Sequence, residues 1–135
     1  MFSRLCIFLI LAFGSYLKAD ESYQFIGKHF VASYKECDQK ALTDLPKLKE
    51  ALTKAAEKSG AHILDSVDYI FEPDGLTMVI LLSESHASIH TYPEYGACFV
   101  DLFTCGHTCS SDAFDKVLRE YLQPKKVDYS KIERD

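Results

Sequence analysis

Between Ser83 and Thr91 the chain reads Ser-Glu-Ser-His-Ala-Ser-Ile-His-Thr. Three serines and two histidines within eight residues are more hydroxyl and imidazole than a core strand needs. Read as a strand, the segment puts His86, Ser88 and His90 on one face and Ser85, Ala87 and Ile89 on the other. A solvated face would account for that pattern. So would chemistry, because a serine becomes a nucleophile when a base or strained geometry activates it, and histidine is the usual base. A Ser–His hydrolase would also need a nucleophile elbow and oxyanion donors, and no elbow motif is present. A second group is Cys105, His107 and Cys109. Its Cys-x-His-x-Cys spacing is not a usual structural-zinc pattern, so no metal is expected.

The elements that must carry these residues can be read from punctuation and periodicity. Phe25 to Tyr34 mixes aromatic and β-branched residues and predicts a strand. Asp44-Leu45-Pro46 opens a helix, with Leu45, Leu48, Leu52 and Ala55 along one face and Gly60 as its end. His62 to Phe71 is a second strand, and Glu72-Pro73-Asp74-Gly75 a turn. Leu76 to Leu82 is a buried strand, followed by the serine- and histidine-rich one. After the Tyr92–Gly96 turn come a strand over Ala97 to Thr104 and a helix over Ser111 to Leu122. That helix turns Phe114, Val117, Leu118 and Tyr121 inward, and Pro124 stops it. A short strand near Val127 follows. Strands joined by short turns favour antiparallel pairing. The expected fold is α+β, a two-layer sandwich with a mainly antiparallel sheet and two helices on one face.

The bulk composition narrows the partners. The chain has 135 residues, enough for one domain with a single core, and 47% of them are hydrophobic. A net charge of −5 argues against a nucleic-acid partner. Residues 1–19 have the layout of a secretory signal: Arg4, an apolar run from Leu5 to Gly14, then Ala19 before the cut. The run is too short to span a bilayer comfortably, so no stable membrane partner is expected. An uncleaved anchor or a misplaced start codon would also explain it. Removing residues 1–19 would take Arg4 and Lys18 and no acid, moving the charge from −5 to −7. Residues 20–135 then form the single domain. Its four cysteines, Cys37, Cys98, Cys105 and Cys109, would suffice for two disulfides in an oxidising compartment, or serve as small core residues.

Residues 83–96, SESHASIHTYPEYG, followed by VDLFTCG, closely resemble the bacterial type of S-adenosylmethionine decarboxylase, a pyruvoyl-dependent enzyme of polyamine synthesis. The likeness runs from about Gly27 to Val127, with GKHFVASYKECD resembling the family's opening strand. It implies a proenzyme that cuts itself between Glu84 and Ser85, giving chains 20–84 and 85–135. Ser85 would attack the carbonyl of Glu84, and elimination would convert it to a pyruvoyl group. That group forms a Schiff base with the substrate amine and draws off the electrons left when CO2 departs, the role pyridoxal phosphate plays elsewhere. The product would be the aminopropyl donor for spermidine.

The same resemblance assigns the other roles. His90 would assist processing, with Thr77 in support where the family has serine. Cys105 would protonate the substrate carbon after decarboxylation, a thiol being able to give up and recover a proton near neutrality. Phe71 would stack on adenine and Glu94 would bind the ribose hydroxyls. His86 and Ser88 would line the site without assigned roles. A homodimer with sites near its interface is also implied. The chain departs from the family at Cys98, at Cys109, at Thr77-Met78 and in its export-like start, since members are usually cytoplasmic. Cys98 and Cys109 could pair in an oxidising compartment. Two other readings stay open: a pyruvoyl enzyme for a free basic amino acid such as arginine or ornithine, and an inactive exported binding paralogue.

Overall fold

Leu82 and Ser85 face each other across a two-residue hairpin, and the sheet extends outward from that corner. The computed structural model describes residues 25–135; the expected leader over residues 1–19 lies outside them. Six strands, β1 (Gly27–Lys35), β2 (Ile63–Phe71), β3 (Gly75–Leu82), β4 (Ser85–Tyr92), β5 (Ala97–Cys105) and β6 (Lys126–Arg134), form one sheet. Their order is β2-β3-β4-β5-β1-β6, and every pairing is antiparallel. The helices are α1 (Gln39–Thr43), α2 (Leu45–Lys58) and α3 (Ser111–Leu122). No helix among the described residues is long and apolar enough to cross a membrane.

Alternation along the strands sorts the side chains into two layers. Phe30, Ala32 and Tyr34 of β1, Leu76, Met78, Ile80 and Leu82 of β3, Ala87 and Ile89 of β4, and Cys98, Val100 and Leu102 of β5 are buried beneath the helices. The helices answer with Leu48, Leu52, Ala55 and Ala56 of α2 and Phe114, Leu118 and Leu122 of α3. Each fully buried leucine adds about 1.5–3 kcal/mol relative to an exposed one. Asp44 caps α2 by accepting from the Lys47 N–H, and Ser110 caps α3 by accepting from the Ala113 N–H. A polar link also fastens α3 to the sheet: the Tyr34 hydroxyl donates to Asp115, whose other oxygen accepts from Arg119 Nε at 2.7 Å.

The opposite face of the sheet carries no helix. By register, Val67, Tyr69 and Phe71 of β2, Thr77, Val79 and Leu81 of β3, His86, Ser88, His90 and Tyr92 of β4, and Phe99, Asp101 and Phe103 of β5 lie together there. Val67, Tyr69, Leu81 and Phe99 are each more than half exposed.

The two-layer α+β architecture agrees with the sequence reading. Three details differ. The first strand begins at Gly27. The five-residue α1, capped by Asp38 accepting from the Ala41 N–H, was not expected, because one helical turn leaves no apolar period to read. The strand near Val127 runs for nine residues, pairing with β1 from Lys126 to Arg134. It is an edge strand rich in charge on both faces, the composition that guards sheet edges and hides strand character.

Candidate active site

Ser83 and Glu84 form the turn between β3 and β4, so the Glu84–Ser85 bond sits in a tight hairpin on the sheet. Four contacts fix it. The backbone N–H of Cys105 donates to the Glu84 carbonyl at 2.9 Å. The Glu84 carboxylate accepts from the His62 backbone N–H at 2.9 Å and from His62 Nδ1 at 2.8 Å. The Ser83 N–H donates to the His62 carbonyl at 2.9 Å. Partial burial pushes the Glu84 carboxyl up, but the His62 side-chain and backbone bonds outweigh it and hold the group down to about 2.

Ser85 has φ of +150°, a backbone conformation that costs a non-glycine residue about 1–3 kcal/mol. Its hydroxyl lies 3.2 Å from Nδ1 of His86. The strained nucleophile, a base at hydrogen-bond distance and a donor on the preceding carbonyl therefore meet at one peptide bond. A donor on that carbonyl stabilises the oxyanion that forms if the hydroxyl attacks. Cys105 also lines a cavity of about 400 Å³ with Phe25, Gly27, Phe103 and Arg134.

The other expected residues gather at the far end of β4. Phe71, His90 and Glu94 line one cavity of about 250 Å³, beside the Tyr92–Gly96 turn. Nδ1 of His90 and Oγ1 of Thr77 are hydrogen-bonded at 2.5 Å, across the ladder that pairs them. The His90 ring packs edge-on against Phe71 and Tyr92, at 5.8 and 4.7 Å between centroids. Ser85 and His90 are five positions apart along β4, about 17 Å at 3.3 Å per residue. The fold therefore brings Glu84, Ser85 and Cys105 together at one end of β4, and Phe71, Thr77, His90 and Glu94 together at the other.

Cys105, His107 and Cys109 do not form a metal-holding cluster among the described residues. Nδ1 of His107 lies 3.4 Å from Lys28 Nζ. Ser88 donates to Asp101 at 3.3 Å, next to His29. The pairing of Cys98 with Cys109, left open by the sequence, is not formed: they lie at and beyond opposite ends of β5, and the seven steps from Cys98 to Cys105 already span about 23 Å. All four described cysteines are free thiols.

Against known proteins, the profile of the S-adenosylmethionine decarboxylase family matches residues 28–135. The chain belongs to that family. Relatives named S-adenosylmethionine decarboxylase proenzyme include one from Thermotoga petrophila, 38% identical over 81% of this chain and 84% of the relative. Another, from Parasynechococcus marenigrum, is 41% identical over 75% of this chain and 79% of the relative. The crystal structure of the adenosylmethionine decarboxylase from Aquifex aeolicus superposes with a TM-score of 0.75 at 33% identity. It covers 81% of this chain and 90% of that one.

In this member of the S-adenosylmethionine decarboxylase family, two contacts escaped the sequence reading. His62 lies 22 residues from Glu84, and only the folded sheet brings them together. His86 was visible in the motif, but its contact with Ser85 was not.

Proposed function

We propose that the protein is a self-processing, pyruvoyl-dependent S-adenosylmethionine decarboxylase that cuts itself between Glu84 and Ser85. The observation that carries this reading is the Cys105 N–H on the Glu84 carbonyl, next to a serine in strained backbone. In the first step Ser85 Oγ bonds to the Glu84 carbonyl carbon. His86 takes the hydroxyl proton, and the Cys105 N–H stabilises the oxyanion. The C–N bond then breaks, its nitrogen takes up the proton, and an ester remains. In the second step a base removes the α-proton of Ser85 and the Cβ–O bond breaks. Glu84 departs as a carboxylate, and water then displaces the nitrogen as ammonia. His90 is the base proposed for that elimination, with its ring oriented by Thr77.

The ketone so formed condenses with the substrate amine and withdraws electrons as CO2 leaves. Around it, Phe71 offers an aromatic face to adenine and the nearby sulfonium, Glu94 accepts from the ribose hydroxyls, and the Cys105 thiol delivers a proton to the substrate carbon.

We further propose that the working unit is a homodimer joined through the helix-free face. A large exposed apolar patch marks a contact surface. Two-fold symmetry makes such a contact reciprocal, so the Ser85 end of one copy would meet the His90 end of the other. The separation of about 17 Å within one copy supports this arrangement.

Intact mass under denaturing, reducing conditions tests the proposal. Two chains divided between Glu84 and Ser85, the second starting with a pyruvoyl group, are expected. CO2 release should then follow S-adenosylmethionine and not arginine or ornithine. A single uncut chain without decarboxylase activity would overturn the reading in favour of a binding paralogue. The same spectrum reads whether residues 1–19 are retained, and so whether the proposed export signal is processed.

A further inference from the structure

We infer that Cys37 and Cys98 form a disulfide when the protein meets a small-molecule disulfide, and that in the processed protein this bond joins the two chains. The bond itself rests on geometry alone; its joining of two chains rests on the cleavage proposed above.

Cys98 is buried in the core on the helix side of β5, two residues after Gly96. Cys37 follows β1 and packs, half-buried, against the same core. Its backbone is anchored on both sides. The Cys37 N–H donates to the Gly96 carbonyl at 2.9 Å, and the Asp38 N–H donates to the Leu122 carbonyl at 2.8 Å. The register pairs Tyr34 with Cys98, so the chain leaving β1 runs beside the start of β5 and on past it to Gly96. The two thiols are near neighbours, each shifting the proton affinity of the other. Cys98 lowers the Cys37 thiol from its ordinary range despite burial, while Cys37 and then burial raise Cys98.

The asymmetry assigns the order of events. Cys37, the more accessible thiol, loses its proton and attacks one sulfur of the incoming disulfide. That S–S bond breaks, and half of the reagent leaves as a thiolate that takes up the proton. Cys98 then loses its proton and attacks Cys37 Sγ, and the second half leaves as a thiol. Two protein thiols are oxidised and one disulfide is reduced to two thiols. Cys105 and Cys109 cannot substitute, because they lie at and beyond the far end of β5. The bond would also clamp the Tyr92–Gly96 turn, which already accepts from Gln39 Nε2 at the Pro93 carbonyl, 3.1 Å away.

The test uses the purified full chain incubated with oxidised glutathione, then labelled with a maleimide under denaturing conditions. Loss of two labels relative to the reduced protein, and a cross-linked peptide pair holding Cys37 and Cys98, are expected. On a non-reducing denaturing gel the processed protein should run as one band that dithiothreitol splits into two. Cys37→Ser changes a half-buried residue outside the core, and should restore two bands in both lanes while leaving Cys98 free. Full labelling after oxidation, or a cross-link between any other cysteines, overturns the inference. An uncut chain with the Cys37–Cys98 peptide pair upholds the disulfide and refutes the cleavage. Cut chains that separate without reductant refute the disulfide alone.

Discussion

The backbone N–H of Cys105 points at the carbonyl of Glu84 from 2.9 Å, so one residue touches the proposed scissile bond through its main chain. Its side chain is thereby free for a different task. Cys105→Ala keeps the N–H and removes the thiol. Self-cleavage should therefore proceed, while kcat for decarboxylation falls about 10²–10⁴-fold, the usual loss for a general acid. Intact mass and CO2 release measured on the same sample separate the two. If Cys105→Ala stays uncut, the thiol itself takes part in processing and the division of labour fails.

The separation of Ser85 from His90 makes a prediction about mixtures. Ser85→Ala lacks the nucleophile and His90→Ala lacks the proposed base, so each alone should remain uncut. Co-expressed, they can form a dimer in which the intact Ser85 of one copy meets the intact His90 of the other. Cleavage of the His90→Ala chains should then rise about 10²-fold over the unmixed protein, read by mass. No rise in a verified mixed dimer would refute the shared site.

Glu84 gives a pH dependence with a definite sign. Its folded-state value, about 2, lies below the ordinary 4.5. Its contribution is present in full above pH 4.5 and is lost as pH falls toward about 2. The displacement corresponds to at most roughly 3 kcal/mol, which solvent screening reduces. Urea unfolding of uncut Ser85→Ala should show stability dropping more steeply across that window than in the same protein with Glu84→Gln. Parallel pH profiles would mean that the His62 contact does not stabilise the folded proenzyme.

Phe71 and Glu94 line one cavity with His90, so the proposed adenine and ribose contacts share that end of the sheet. Phe71→Ala should raise KM for S-adenosylmethionine about 10- to 100-fold, the loss of one aromatic stack on a base. Cleavage should remain complete. An unchanged KM would remove Phe71 from the adenine site.

Sequence and structure agree where the signal is local. The turn at Glu72–Gly75, the cap at Asp44 and the alternation in β4 each depend on neighbours in the chain, and all are found as expected. The parts that a local reading misses depend on distant strands. Nothing near His62 announces Glu84, and nothing near Cys37 announces Cys98. The motif from Glu84 to Gly106 reads as one site, yet β4 is extended, and an extended strand carries Ser85 and His90 apart. A linear motif conveys which residues matter without conveying which copy of the chain they serve.

The strand order has a consequence for what a cut would leave behind. The piece ending at Glu84 holds β1, β2 and β3, and the piece beginning at Ser85 holds β4, β5 and β6. In the order β2-β3-β4-β5-β1-β6, β1 is inserted between two strands of the other piece. Three of the five strand borders thus run between the pieces. Neither fragment owns a complete sheet, and α3 of the second covers β1 of the first through Asp115 and Tyr34. Backbone cleavage here severs covalent continuity while leaving the halves interlocked. The fragments should behave as a complementing pair, each a template for the other, with no route to dissociation short of unfolding.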